Sequence, residues 1–366
     1  DASISVSSMR IDAIGSYQQA TDMSTTDVDI ATGAKLVTAA TDVNYVEADT
    51  VTINGQFGNK ALSITANMSA KQVTDLVNQS FDSHGVDAVA STQLKLEAVA
   101  NAVAGSAGTV TVAFDLYGKN TDVVNVSAAI TCGTSESASN VEALRDAVNA
   151  YTAQTGIEAT LSSDKSNLIL VQDEGFDIKI VDVDFDLETA NDVATTTLDA
   201  ACDNSTTVPV AATTGVEVGD FIVVTDAADA HVSQGAYVTA VSDGVSVTVN
   251  KAITIPNGSD VSFVNTDRVL SITGLSEDQA SNGIGVTLAD KGQTTHGKDS
   301  AIVSGQVTFN STAQFTIQAD TDKGLFSTSP GSASLKKLST IKLNTRQKAV
   351  DSLVILDKAL DRINLE

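Results

Sequence analysis

The sequence predicts a β-rich α+β fold in an elongated chain of several domains, with nested insertions and a terminal helix that belongs to a helical inner rod. Three observations lead to this prediction. Short alternations of apolar and polar residues, typical of strands, recur between turn signals such as Asp243-Gly244 and Asn257-Gly258. Apolar residues at helical spacing are confined to a few segments. The 366 residues suffice for two or three domains with their own cores.

The composition restricts the classes of function. Lysine and arginine number 21 against 46 aspartates and glutamates, a formal net charge of -25. Such a field repels nucleic acid and anionic lipid, so we expect neither as a partner. Aromatic residues make up only 4% and tryptophan is absent, which is typical of a secreted or surface protein built from small residues. We therefore expect no catalysis and no cofactor.

Residues 46–104 are predicted as a first insertion module with the order ββαββ. The helix is predicted over residues 69–78, where Ser69 can cap the first turn and Val73 and Val77 share one face. The strands around it are predicted at 51–53, 62–64, 85–90 and 94–96.

Residues 105–194 together with 268–299 are predicted as a second module. Its helix is predicted over 139–151, and its strands at 110–114, 123–126, 156–160, 167–170 and 177–180. In both modules a helix ends in a glycine, and the glycine is followed by an apolar residue, any residue and an alanine, as in 85–88 and 156–159. This common order indicates an internal repeat of low identity.

Residues 195–267 are predicted as a small all-β domain inserted into the second module. Its alternating strands, for example 216–224 and 245–249, need no helix between them. Residues 1–45 together with 300–366 then form one partial inner, rod-like domain, because a nested insertion needs an entry and an exit that lie close together.

The last helical segment is predicted as a packing and assembly surface. One apolar stripe at helical spacing is formed by Val350, Leu353, Val354, Leu360 and Ile363. The pattern continues to the last residue without a glycine or proline stop signal. We therefore expect this chain to be a piece of a longer protein.

Residues 4–15 near the start of the chain and residues 341–363 near its end together resemble segments of bacterial flagellins. Near the start, residues 4–15 (ISVSSMRIDAIG) are similar to the end of the amino-terminal half of the family's inner domain. The repeated module resembles the insertion module of flagellins and hook proteins. Near the end, the family's pattern leading into the carboxy-terminal helix of the inner domain matches Ile341, Thr345, Ala349, Leu353, Ile355, Leu356, Asp357, Ala359, Leu360 and Ile363.

The resemblance implies an extracellular structural subunit of the flagellar filament, which acts by self-assembly for motility. Its partners would be other flagellin subunits and, in the full-length parent, the export chaperone and the cap. This piece lacks the terminal coiled-coil segments of the family and would be monomeric. Two alternatives stay open: a hook or hook-associated protein, and an adhesin or glycan-binding role for residues 195–267.

The candidate chemical sites are weak. Residues 292–298 (GQTTHGK) fit the start of a phosphate loop, but Asp299 replaces the required Ser or Thr and would repel phosphate. Acidic residues alternate with apolar residues in one segment, at Asp182, Asp184, Asp186 and Glu188. This segment lacks the glycine that a calcium loop requires, so the pattern predicts an amphipathic strand with a solvated acidic face.

The histidines and cysteines predict no site either. His84, His231 and His296 share no helical turn, so we expect no zinc site. Cys132 and Cys202 lie in different segments, which favours free thiols over a disulfide. We therefore predict no catalytic, cofactor-binding or metal-binding residue.

Overall fold

The computed structural model describes residues 14–21, 34–100, 108–132, 140–162, 165–185, 193–224, 236–242, 244–255, 257–264, 268–276, 281–288, 299–321, 331–341, 343 and 346–365. The helices within these segments are α1 Ala70–Gln79, α2 Phe81–His84, α3 Glu142–Asn149, α4 Thr152–Thr155 and α5 Arg346–Leu365. The strands are β1 Gly15–Ala20, β2 Ala34–Val37, β3 Asp49–Gly55, β4 Gly58–Ile64, β5 Asp87–Ala100, β6 Gly108–Tyr117, β7 Val124–Cys132, β8 Ile157–Leu161, β9 Asn167–Gln172, β10 Ile178–Phe185, β11 Val193–Thr197, β12 Cys202–Pro209, β13 Phe221–Val224, β14 Val238–Ser242, β15 Ser246–Ile255, β16 Asp260–Val264, β17 Arg268–Leu275, β18 Ser281–Leu288, β19 Ser300–Val303, β20 Gln306–Ser311, β21 Thr316–Ala319, β22 Gly331–Ser332 and β23 Ser334–Lys337.

These strands form antiparallel sheets, so the chain is β-rich, as the alternation predicts. The largest sheet has the order β18-β17-β5-β20-β1-β23, and β9 and β8 extend it from β5. A five-stranded sheet has the order β2-β19-β10-β6-β7, and a four-stranded sheet the order β22-β21-β3-β4. Two three-stranded sheets, β11-β16-β13 and β12-β15-β14, lie within the segment predicted as all-β.

Strand β5 corrects the predicted ββαββ order of the first module. Its first half pairs with β20, from Asp87 opposite Asn310 to Ser91 opposite Gln306. Its second half pairs with both β17 and β9. Because no Gly, Pro, Asn or Asp interrupts residues 88–97, the two strands predicted at 85–90 and 94–96 are one strand.

The two ends of the described chain meet in the largest sheet. β1 pairs with β20, where Tyr17 lies opposite Ser311, and also with β23, where Gly15 lies opposite Lys337. The sheets also join segments across the predicted boundaries, since β5 pairs with β9, β17 and β20. The domain boundaries stay a prediction, and residues 1–13, which carry most of the amino-terminal resemblance, lie outside the described residues.

Three larger apolar cores stabilise these sheets. The first joins the five-stranded sheet to α3 and the second half of β5 and contains the fully buried Phe114 and Leu144. The second packs α1 against the four-stranded sheet and contains Val73 and Phe309. The third contains Phe263 and fills the all-β segment between its two sheets. Burial of this apolar surface is the main stabilising contribution.

One helix–strand unit occurs twice with the same local geometry. α1 begins at the predicted cap, where Ser69 and Gln72 form a reciprocal capping box. The short helix α2 follows and ends at Gly85, which has a left-handed φ of 72°. The pair α3 and α4 repeats this order and ends at Gly156 with φ 71°.

An asparagine joins helix to strand in both units. Asn78 donates from Nδ2 to the Ala88 carbonyl oxygen (3.0 Å) and accepts at Oδ1 from the Ala88 N–H (2.8 Å). Asn149 makes the same two bonds with Ala159, at 2.9 and 2.8 Å. Each side-chain amide takes the place of a neighbouring strand, because the described ladders pair Ala88 and Ala159 with one strand each.

Asn78→Ala and Asn149→Ala are each expected to lower the free energy of unfolding by about 1–3 kcal/mol, since each leaves a strand N–H and C=O without a partner. Urea unfolding followed by circular dichroism measures the loss. Asn54→Ala is the control, because Asn54 is exposed and, among the described residues, its amide donates a single side-chain hydrogen bond, to the Thr316 hydroxyl at 3.3 Å. Equal losses at Asn54 and Asn78 would contradict this role of the amide.

Cys202 is a buried free thiol in the all-β segment. Its Sγ lies 3.4 Å from the Ile253 carbonyl oxygen, and burial raises the pKa of the thiol. Such a thiol is poorly reactive because the thiolate is the nucleophile. The side chain of Cys132 lies outside the described residues.

Candidate assembly surface

Helix α5 is fixed to the largest sheet by one face. Ser352, Ile355 and Ala359 are buried, and the helix contacts β1. Lys358 reaches across to Asp87 on β5, with 2.6 Å between Nζ and Oδ1, and both side chains are mostly shielded from solvent. The same Nζ lies 5.8 Å from the centre of the Phe81 ring. These contacts set the rotation of the helix about its own axis.

The side of α5 next to this buried face exposes a row of large apolar side chains, which we name the α5 stripe. Its members are Val350 (42% exposed), Leu353 (60%), Leu356 (39%), Leu360 (49%) and Ile363 (37%). Four of the five residues predicted for assembly therefore lie in the stripe. The fifth, Val354, is half-buried and lines a neighbouring cavity.

Leu356 completes the stripe and was missing from the predicted set. Leu353, Leu356, Leu360 and Ile363 are separated by three, four and three residues. This is the heptad spacing with which one helix packs along another. Burying a leucine or isoleucine side chain contributes roughly 1.5–3 kcal/mol, so a row of them exposed to water is a candidate interaction surface.

The charge of α5 differs from that of the whole chain. Its sequence RQKAVDSLVILDKALDRINL contains four basic and three acidic residues, whereas the chain carries a net charge of -25. Copies of so acidic a chain repel one another at long range. Contact through α5 adds little to that repulsion, because the helix itself is nearly neutral.

A cavity of about 300 Å³ lies beside α5, between α1 and the sheet. Thr74, Ser91, Thr308 and Asp351 line it together with Val354. Its lining combines hydroxyl groups, carboxylates and one lysine without a histidine or a cysteine. The described lining therefore lacks the histidine base of a Ser–His or Cys–His pair.

The acidic alternation lies on β10. Val181, Val183 and Phe185 are buried, Asp184 is exposed and Asp182 is half-buried, which gives the amphipathic strand that the pattern predicts. The structure does not describe Asp186, Glu188, His231, His296 or residues 292–298, which match only the start of a phosphate-loop pattern. In the part of the chain that is described, no group of three His, Cys, Asp or Glu side chains is placed to hold a metal ion. Among the helices described, none is long and apolar enough to cross a membrane.

The carboxyl group of Asp177 has a strongly raised pKa, and its hydrogen bonds join separate segments of the fold. Its Oδ2 accepts from Asn44 Nδ2 (2.9 Å), and the same Nδ2 donates to the Met68 carbonyl oxygen (3.1 Å). Its Oδ1 is enclosed without a hydrogen-bond partner, although the residue as a whole is only half-buried. Burial raises the pKa of Asp177 to about 6, opposed by the Asn44 bond and the charge of Lys179.

Asp177→Asn is expected to raise the free energy of unfolding at pH 7 by about 1–2 kcal/mol. The folded-state pKa of about 6 exceeds the ordinary 3.8, so the folded chain binds this proton more tightly, and stability falls as pH rises between these values. Asparagine does not ionise and escapes that loss. Thermal unfolding at pH 7 and pH 4 tests this; an equal gain at both pH values would contradict it.

Comparison with known proteins gives only weak structural neighbours. No family model matches the chain, and no curated protein matches it. Two structures of the flagellar cap protein FliD from Escherichia coli are 10% identical to this chain. The match to its D2-D3 domains covers 80% of this chain and 98% of that chain, with a TM-score of 0.18. The match to its D1-D2-D3 domains covers 93% of this chain and 64% of that chain, with a TM-score of 0.19. FliD from Helicobacter pylori is 11% identical, and the match covers 83% of this chain and 87% of that chain with a TM-score of 0.19. TM-scores this low define neither the fold nor the family of this chain.

Proposed function

We propose that this chain is a structural component of the bacterial flagellum, and more narrowly the outer, surface-exposed portion of a flagellin. It acts by self-assembly in the extracellular filament and catalyses no reaction. The observation that carries the proposal is the α5 stripe, a heptad-spaced apolar row on a helix whose other face is already occupied. The flagellin-like residues from Ile341 to Ile363 belong to the same segment.

The geometry suits assembly between helices. The buried face with Ile355 and Ala359 and the ion pair between Lys358 and Asp87 hold the helix in one orientation. The α5 stripe is then held in a fixed direction, and a helix of a neighbouring subunit would bury it. The other subunits of the filament are the partners proposed for this surface.

The alternative is a hook or hook-associated protein. The repeated helix–strand unit, with its matched bonds at Asn78 and Asn149, resembles a module that hook proteins also carry. The repeated unit alone is compatible with both assignments. The place of the protein along the flagellum separates them.

Immunogold electron microscopy on source cells tests the proposal, with antibody raised against residues 195–267. Label along the whole filament is the expected result. Label confined to the hook or the tip would replace the flagellin assignment with a hook or hook-associated protein. Label on the cell body would overturn the flagellar proposal and favour the adhesin.

A further inference from the structure

The two helix–strand units differ at one chemically important position. In the second unit, Thr155 Oγ1 accepts from the Ile157 N–H (3.1 Å) and donates to the Tyr151 carbonyl oxygen (3.1 Å). In the first unit the corresponding residue, next to the left-handed glycine, is His84, and its Nδ1 accepts from the Val86 N–H (3.1 Å). A hydroxyl group that does not titrate is thus replaced by an imidazole.

The hydrogen bonds of His84 require a neutral ring. A backbone N–H can only donate, so Nδ1 must be unprotonated to accept from Val86. The proton then lies on Nε2, which faces Ser80 Oγ at 3.0 Å. Ser80 Oγ is itself placed to donate to the carbonyl oxygens of Leu76 or Val77. The ring is completely buried. A second proton, on Nδ1, would therefore face the Val86 N–H donor, and solvent water does not reach the ring to separate the two.

His84 lies where several elements meet. Its carbonyl group packs against Gly55 at the end of β3, and Gly85 packs against Phe57 in the β3–β4 turn. Phe57 meets Phe81 of α2 edge-to-face, with 6.2 Å between ring centres. Phe81 in turn lies beneath Lys358 of α5. Movement of α2 would therefore disturb both the β3–β4 hairpin and the contact between Phe81 and Lys358 of α5.

We propose that α2 is an acid-sensitive latch: protonation of His84 breaks its bond with the Val86 N–H and releases α2 from the β3–β4 hairpin and from α5. The second unit, with Thr155 in the same place, stays closed. The inference concerns the fold itself and does not depend on the flagellar assignment.

The pKa of the His84 ring is determined mainly by its burial and not by a neighbouring charge. Burial lowers the pKa of His84, and a hydrogen bond with the Val77 carbonyl opposes the shift. No charged residue is among the causes of that shift. The described elements around α2 carry these charged residues: Lys71 and Asp75 on α1, Asp49 on β3, Lys60 on β4, Asp82 on α2, Asp87, Lys95 and Glu97 on β5, and Asp351, Asp357, Lys358, Asp361 and Arg362 among those on α5.

The direction of the pH effect follows from that shift. The unfolded chain holds the proton with the ordinary pKa of 6.5, and the folded chain holds it less tightly. Stability from the neutral ring is therefore complete above pH 6.5 and is lost as pH falls below it. For one proton, the loss reaches at most about tenfold in the opening equilibrium for each pH unit.

Amide hydrogen exchange between pH 7.5 and pH 5 tests the latch, after correction for intrinsic exchange rates. In the wild type, protection of the Val86 amide is expected to fall by about tenfold or more, while protection of the Ile157 amide changes little. The Ile157 amide is the control within the same molecule. Parallel behaviour of the two amides in the wild type would overturn the proposal.

His84→Thr copies the arrangement of the second unit and is expected to remove the excess loss at Val86 on acidification. His84→Asn, whose Oδ1 can also accept from the Val86 N–H without titrating, is the second variant. An excess loss at Val86 that persists in either folded variant would show that another group is responsible. If neither variant folds, the comparison of Val86 with Ile157 in the wild type decides alone.

Discussion

Gly55→Ala is expected to lower the free energy of unfolding by roughly 3–5 kcal/mol. A Cβ atom on Gly55 would lie 1.9 Å from the carbonyl oxygen of His84 and 2.9 Å from its carbonyl carbon. That carbonyl directly precedes the left-handed Gly85, where α2 ends. The backbone therefore cannot retreat without unwinding the turn, and the close approach of two backbone segments requires glycine.

Gly118→Ala makes the same test in the second unit, since its Cβ would lie 2.4 Å from the Thr155 carbonyl oxygen. Gly258→Ala is the control for a left-handed backbone alone: its φ is 81°, and nothing lies within 4 Å of the added Cβ. It is expected to cost about 1–2 kcal/mol. Urea unfolding measures all three. A loss at Gly55 no larger than at Gly258 would contradict the packing argument.

Local structure was predictable where it depends on neighbouring residues. The capping box of Ser69 and Gln72 and the glycine that ends each helix pair are local signals, and α1 and both left-handed glycines lie where the pattern places them. The asparagine bonds of the two units are also local, with partners ten residues apart. They were not predicted, because asparagine at a helix end has many other uses.

Long-range pairing was not predictable from the same patterns. β5 pairs with β9, β17 and β20, and nothing in its alternation specifies these distant partners. The continuity of β5 was missed for a related reason. Its Ser91, Thr92 and Gln93 form a polar interval that suggests a break, but the partner strands continue the ladder through it.

The candidate surface was predictable in part. Helical spacing identifies α5 as apolar on one side, but Ile355 and Ala359 make a second face that the pattern does not rank. Small Ser352 and Ala359 allow the sheet to approach closely, so the face with the smaller side chains is buried. The larger leucines then remain outside. Periodicity alone predicts which residues share a face of the helix. It does not predict which of the two apolar faces packs against the rest of the fold.

This division of faces leads to the prediction with the largest functional effect. On the proposed function, Leu353→Asp and Leu360→Asp are each expected to stop filament growth while leaving the fold of this chain intact. Both positions are exposed in the chain, so the new carboxylate is solvated and stability changes by about 0.5 kcal/mol or less. In an assembled helix pair the carboxylate would lose its water, at a cost of several kcal/mol.

Filament length in cells that produce only the variant protein, measured by electron microscopy, gives the result. Thermal unfolding of the chain shows whether its fold is retained. Leu353→Met and Leu360→Met keep the apolar volume and should assemble normally. Val245→Asp adds the same charge at an exposed apolar residue in the all-β segment and should also assemble.

Ile355→Asp separates the two faces of the helix. Ile355 is buried against the fold, so a carboxylate there is expected to destabilise the chain itself by about 3 kcal/mol or more. The stripe variants are expected to fold and fail only in assembly. Filaments of wild-type length in both stripe variants would exclude the stripe as the assembly surface. Unfolding of both would mean that the stripe is covered within the protein, and that the surface for neighbouring subunits lies elsewhere.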